Sequence, residues 1–254
     1  MLDKSILSAK LKSDGIVILK NYYDINFCEE VIREIEEGID KFSDKVTITK
    51  SENTGGDFRL FGMDRVYDSA KVFFNETFFL DIINQVSKQK QKPYFILGGK
   101  LEYLKNSTQN SGGGWHRDQD KEQFKVMLYL NNVNSENGPF LFVKNSKTTD
   151  AKRIRQKQKD SLIIKIKKLV KGYKLTNPRY SDSSINNYLK ENKLTPTEVT
   201  GEAGDIIIFN SSFLHRGKNI SDSIRYSLTN YIFPDTLKQE KAIKNSSFSK
   251  TFIK

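Results

Sequence analysis

Only two histidines occur in the 254 residues, His116 and His215, and one of them stands two positions from an acid. Trp115-His116-Arg117-Asp118 sets an imidazole and a carboxylate at i and i+2. On an extended strand these positions share a face, so both donors would project into one space. His215 lies far along the chain, after the apolar run Ile206-Ile207-Ile208-Phe209, but a closed β-barrel can erase that separation. Two imidazoles and one carboxylate form the facial triad of non-haem Fe(II) oxygenases, which fills three coordination positions and leaves three open. Mn, Co, Ni or Zn suit the same donors. Arg225 follows ten residues after His215 in Arg225-Tyr226-Ser227-Leu228. A strand there would put its guanidinium and the Ser227 hydroxyl on one side. A buried Arg needs an anion, and its rigid fork matches a carboxylate through two parallel hydrogen bonds. The distal carboxylate of 2-oxoglutarate is a fitting partner, with the keto-acid end on the metal.

Such a site needs strands to carry it. After Pro93 the sequence turns to short β-rich runs, with strands expected at 95–104, 124–130, 140–143, 198–200, 205–209 and 225–233. Asn137-Gly138-Pro139 and Gly201-Glu202-Ala203-Gly204-Asp205 are turn signals between them. Short strands with turns between them suggest a jelly roll or barrel. The region before, about 1–92, reads as mainly helical. Val31, Ile35, Ile39 and Phe42 recur on one helical face behind an Asn26/Glu29 capping box. A second helix is expected from about Asn75 through Phe78, Phe79, Ile82, Ile83 and Val86, and a short strand at 16–19 after Asp14-Gly15. A basic insertion at about 148–196, with Lys165, Lys167 and Lys168 among its cations, interleaves Ile and Leu as an amphipathic helix would. It could be a solvated face or a lid that draws an anionic substrate to the barrel mouth. The whole of 1–254 is expected to form one domain.

Composition sets the bounds. Seventeen Phe and eleven Tyr supply enough packing material to exclude wholesale disorder. Cys28 is the single cysteine, so no internal disulfide forms and a reducing, cytoplasmic setting is expected. No apolar run approaches the ~20 residues of a membrane span, and the N-terminus lacks a stretch of signal-peptide length. The net charge of +11 favours anionic partners. An AT-rich coding sequence would produce the same Lys, Asn, Ile and Ser excess, so charge alone names none.

The order Trp115-His116-x-Asp118, Glu136-Asn137-Gly138-Pro139, Gly204-Asp205, His215, Arg225 resembles the phytanoyl-CoA dioxygenase-like family of Fe(II)/2-oxoglutarate oxygenases. The resemblance runs from Ile16 to about Pro234. It implies a mainly β fold with flanking helices, built on a double-stranded β-helix (a cupin-like jelly roll). It also implies iron held by His116, Asp118 and His215, 2-oxoglutarate anchored by Arg225, and O2 as oxidant. Ser227 and Tyr103 are further candidates for co-substrate contacts, and Met127 or Tyr129 for the pocket wall. Two departures stand out. Phe142-Val143-Lys144-Asn145-Ser146-Lys147 replaces the family's Pro-Gly-Ser-His segment, and Gly217 stands where some relatives carry Ser. Chlorinating relatives lack the carboxylate that Asp118 supplies, which speaks against halogenation.

The expected activity is hydroxylation of a small molecule, and an anionic sugar- or nucleotide-linked one would suit the positive charge. Segments such as Gln123-Phe124-Lys125 resemble bacterial members associated with surface polysaccharides. An oxygenase acting on protein or nucleic acid is the alternative, but no recognisable nucleic-acid module supports a nucleic-acid partner. A non-catalytic β-barrel binding module is a further one.

Overall fold

The computed structural model describes residues 2–49, 56–103, 114–119, 122–146 and 179–254. Helix α1 (Lys4–Asp14) is capped by the Asp3 carboxylate and ends at Gly15, whose φ of +78° suits a residue without Cβ. The chain then enters strand β1 (Ile16–Leu19) and helix α2 (Ile25–Lys41). The cap of α2 is Asp24, which accepts from the Phe27 N–H at 2.8 Å, so the helix starts ahead of the expected Asn26. Strands β2 (Thr47–Thr49) and β3 (Gly56–Phe61), then helices α3 (Asp68–Phe74) and α4 (Thr77–Val86), complete the N-terminal part. This part is thus less purely helical than its sequence suggests.

The remaining elements are strands β4 (Gln91–Glu102), β5 (Phe124–Tyr129) and β6 (Phe140–Phe142), helix α5 (Asp182–Glu191), strands β7 (Thr197–Val199), β8 (Ile206–Asn210), β9 (His215–Gly217) and β10 (Ile224–Pro234), and helix α6 (Leu237–Lys244). Strand β4 starts before Pro93 and runs through it. The register shifts opposite Tyr231/Ile232, and a bulge tolerates a residue that cannot donate to the ladder. Within the basic insertion, the expected helix with Lys165, Lys167 and Lys168 lies outside the described residues. Its last part forms α5, capped by Ser181.

Among the described residues the strands form two antiparallel sheets, ordered β1-β8-β5-β10-β4-β3-β2 and β7-β6-β9. The period-2 alternation of the strands sorts their side chains into two cores. Val126, Leu128, Ile206, Ile208 and Leu228 pack on Val31, Ile35, Phe73, Phe79 and Ile82 of the helices. Met127, Tyr129, Ile207 and Phe209 face the other way, onto Phe140, Phe142 and Val199 of the small sheet. Each fully buried Ile or Phe contributes about 1.5–3 kcal/mol. Together these strands are the double-stranded β-helix, with helices covering the outer face of its larger sheet. No described helix is long and apolar enough to cross a membrane.

Candidate metal centre and co-substrate cleft

Backbone pairing brings the two histidines together. His116 and His215 exchange both N–H···O bonds at 3.0 Å as an antiparallel pair, so their separation in sequence disappears and their rings lie 4.4 Å apart between centroids. The Asp118 N–H donates to Ser211 O at 3.0 Å. Between the two donors Arg117 points the opposite way. It is buried, and its guanidinium donates to Ser146 O and Ser212 O. Alternation thus gives one residue to the scaffold and its neighbours to the site.

The donor atoms of His116, Asp118 and His215 lie within 4.8 Å of one another. Oδ1 of Asp118 is 3.6 Å from His116 Nε2 and 3.9 Å from His215 Nε2. Cis ligands about 2.1 Å from one metal sit roughly 3 Å apart, so small side-chain rotations close the set. Each Nδ1 faces a carbonyl, Gly114 O at 3.2 Å for His116 and Phe213 O at 2.9 Å for His215. A proton held there leaves Nε2 as the lone-pair donor. Burial, then the neighbouring His116, pushes His215 down to about 3, and burial lowers His116 too. Both rings are therefore neutral at physiological pH, as ligation requires. Burial alone would raise the Asp118 carboxyl, but the Lys125 ammonium, followed by the two histidines, holds it well below the usual carboxylate range. Two neutral imidazoles and one carboxylate fit a divalent first-row metal.

The triad opens on a cleft of about 270 Å³ that Arg225, Ser227 and Met127 also line. Arg225 donates through Nη1 to Gly138 O, while its buried Nε has no hydrogen-bond partner among the described residues. That leaves donor capacity for a carboxylate. The Asn137-Gly138 turn is therefore more than punctuation. Gly138 has φ +75°, Asn137 locks the loop onto Asn132 O and Asn134 N, and the resulting carbonyl supports Arg225. Tyr129 does not line the cleft. It is fully buried, donating to Val199 O and accepting from Phe140 N. Tyr103 lies just past the end of β4, 39% exposed and outside the cleft lining. Trp115 packs with Leu141, Val143, Tyr180 and Leu214 beside the site. In the departing 142–147 segment, Ser146 Oγ bonds Val143 O and receives the Leu214 N–H, which ties the loop to the turn leading into His215.

Sequence reasoning missed several cleft residues. Asp57 and Arg59 come from β3, Lys125 from β5, and Arg179 from within the insertion, just ahead of α5. Lys125 is 9% exposed and 2.6 Å from Asp118 Oδ2. Its position two residues before Met127 was the available signal, because alternation places both on one face.

Fold and site together define a double-stranded β-helix protein with a His-x-Asp…His metal centre. The family profile described as phytanoyl-CoA dioxygenase matches residues 11–227. The chain belongs to the phytanoyl-CoA dioxygenase family. No curated protein matches its sequence. Among solved structures it is similar to the epimerase SnoN from nogalamycin biosynthesis, in complex with Fe3+, alpha ketoglutarate and nogalamycin RO. That likeness has TM-score 0.67 and 14% identity, covering 92% of this chain and 84% of the other. Iron-bound EctD from S. alaskensis matches at TM-score 0.61 and 12% identity, over 89% and 75%. HygX from Streptomyces hygroscopicus, with nickel and 2-oxoglutarate bound, matches at 0.58 and 12%, over 92% and 88%. Likenesses this distant speak for the fold.

Proposed function

We propose that this chain is an Fe(II)- and 2-oxoglutarate-dependent oxygenase that hydroxylates a small anionic molecule. The observation that carries the reading is the convergence of His116, Asp118 and His215 on one point, with Arg225 lining the same cleft. Family membership and the metal- and 2-oxoglutarate-bound neighbours support it. When bound, Fe(II) supplies the redox chemistry that couples oxidative decarboxylation of 2-oxoglutarate by O2, giving succinate and CO2, to oxidation of a substrate C–H bond.

The chain's own residues bind and orient. His116 and His215 offer Nε2, and Asp118 offers Oδ1. Arg225 grips the far carboxylate of 2-oxoglutarate, and Ser227, on the same face of β10, offers a hydroxyl beside it. Phe140, Phe209 and Met127 form the apolar wall that keeps water from the reacting carbon. An anionic substrate is supported by the charges that line the cleft. Among the described residues, Arg59, Lys100, Lys125, Arg179, Arg216 and Arg225 stand against Asp57 and Asp118. A metal dication and a 2-oxoglutarate dianion cancel, and although Lys100 and Arg216 also pair with Glu36 and Asp182 outside the lining, the cleft wall is rich in cations that suit an anionic substrate. A phosphorylated or nucleotide-linked sugar of the kind used in surface-polysaccharide synthesis fits that field, and the single buried Cys28 suits a reducing cytoplasm.

Anaerobic titration with Fe(II) and 2-oxoglutarate is expected to produce a weak visible charge-transfer band that His215→Ala abolishes. Full retention of the band in that variant would refute the ligand assignment. With substrate, a product heavier by one oxygen marks hydroxylation, while an isomer of unchanged mass marks the epimerase outcome that SnoN's name states.

A further inference from the structure

We propose that Lys125 is a positioning residue of the metal centre, whose ammonium holds Asp118 Oδ2 so that Oδ1 alone is presented to the metal. The two carboxylate oxygens have different surroundings. Oδ1 faces both histidines, at 3.6 and 3.9 Å from their Nε2 atoms, while Oδ2 is 2.6 Å from Lys125 Nζ. One carboxylate can therefore serve metal and lysine together.

Lys125 is also held in place. It sits on β5 between β10 and β8, cross-strand from Tyr231 and Phe209. Its ammonium lies 4.4 Å from the centre of the Tyr231 ring, and the residue is only 9% exposed. A buried ammonium needs a counter-ion, and the metal's own carboxylate fills that role here.

The consequence is a count of open positions, and it rests on the metal and 2-oxoglutarate reading above. Three protein donors on an octahedral metal leave three sites, two for a keto-acid chelate and one for O2. A carboxylate free to bind through both oxygens would take one of them. Lys125 occupies the oxygen that would do so.

The test uses the Co(II)-substituted protein, whose visible d–d bands report coordination number. In K125M, the bands are expected to shift as the second carboxylate oxygen replaces a solvent ligand, and the Kd for 2-oxoglutarate to rise tenfold or more. K125R, which retains a cationic donor, should recover much of both. K125Q is too short to span the same gap, should show the same spectral change, and covers the case in which K125M does not fold. A merely structural lysine would lower the thermal midpoint and leave the spectrum alone. Neutral variants with the wild-type spectrum and a 2-oxoglutarate Kd within twofold of wild type would overturn the role of Lys125. Wild-type protein that binds no Co(II) would overturn the metal reading, and this proposal with it.

Discussion

Arg225 shows what a single side chain can be asked to do. Its Nη1 is committed to Gly138 O, its buried Nε has no partner among the described residues, and the residue lines the cleft. A guanidinium so placed offers a carboxylate a directional hydrogen bond together with full charge. Arg225→Met removes both and leaves a hydrophobic stub. Truncating one partner of a buried charged pair typically costs about 2–5 kcal/mol, so the Kd for 2-oxoglutarate should rise by roughly thirtyfold or more. Arg225→Lys keeps the charge without the planar fork and should fall between. Calorimetric titration of 2-oxoglutarate into the metal-loaded protein measures this. An unchanged Kd in the Met variant would place the co-substrate carboxylate elsewhere. Metal affinity alone should be little altered, because Arg225 is not a ligand.

At the scale of elements, tight turns carry the load that long strands cannot. Gly204 introduces β8 at φ +93°, and an added Cβ would lie 2.0 Å from the Tyr23 carbonyl oxygen. Next to it, Asp205 receives the Asn21 and Glu202 N–H groups and the Lys20 ammonium, fastening the loop after β1 to the sheet. A left-handed conformation costs an L-residue about 1–2 kcal/mol, and the backbone clash adds to it. Gly204→Ala should therefore lose about 3 kcal/mol, or roughly 6–12 °C in Tm by thermal unfolding. Gly114→Ala, whose Cβ would meet Tyr180 O at 3.6 Å, should change Tm by only about a degree. What could be read from the sequence follows the same division. Strands β5, β8 and β10 alternate or run apolar long enough to be legible, and the His-x-Asp…His triad is legible because no other histidine competes. Strand β3 was not, since Gly56-Asp57-Phe58-Arg59-Leu60-Phe61 places a charge at alternate positions that only the cleft explains. Strand β9 was not, because three residues hold no period; its identity comes from the pairing of Phe142 with His215. Lys125 was missed because a lysine in a strand ordinarily faces water, and only the tertiary fold puts Asp118 beside it.

Across the whole molecule, the proposed ligands link the two sheets. His215 opens β9 of the small sheet, with His116 bridged to it, while Arg225 and Ser227 stand on β10 of the large one. A metal bound by the first group and a keto-diacid spanning to the second would clamp the sheets from both sides. Ligands that bind only the folded state stabilise it by mass action, about 2.7 kcal/mol at a hundredfold excess over Kd. For a chain of this size each kcal/mol moves Tm by roughly 2–4 °C. Saturating Ni(II) at that excess should therefore raise Tm by about 5–10 °C, and 2-oxoglutarate should add a further rise that it cannot produce without metal. The variants separate the two steps. His215→Ala should lose both increments, whereas Arg225→Met should keep the metal increment and lose most of the second. Equal shifts from 2-oxoglutarate with and without metal would mean that the diacid binds away from the triad, and the two-sheet clamp would be wrong.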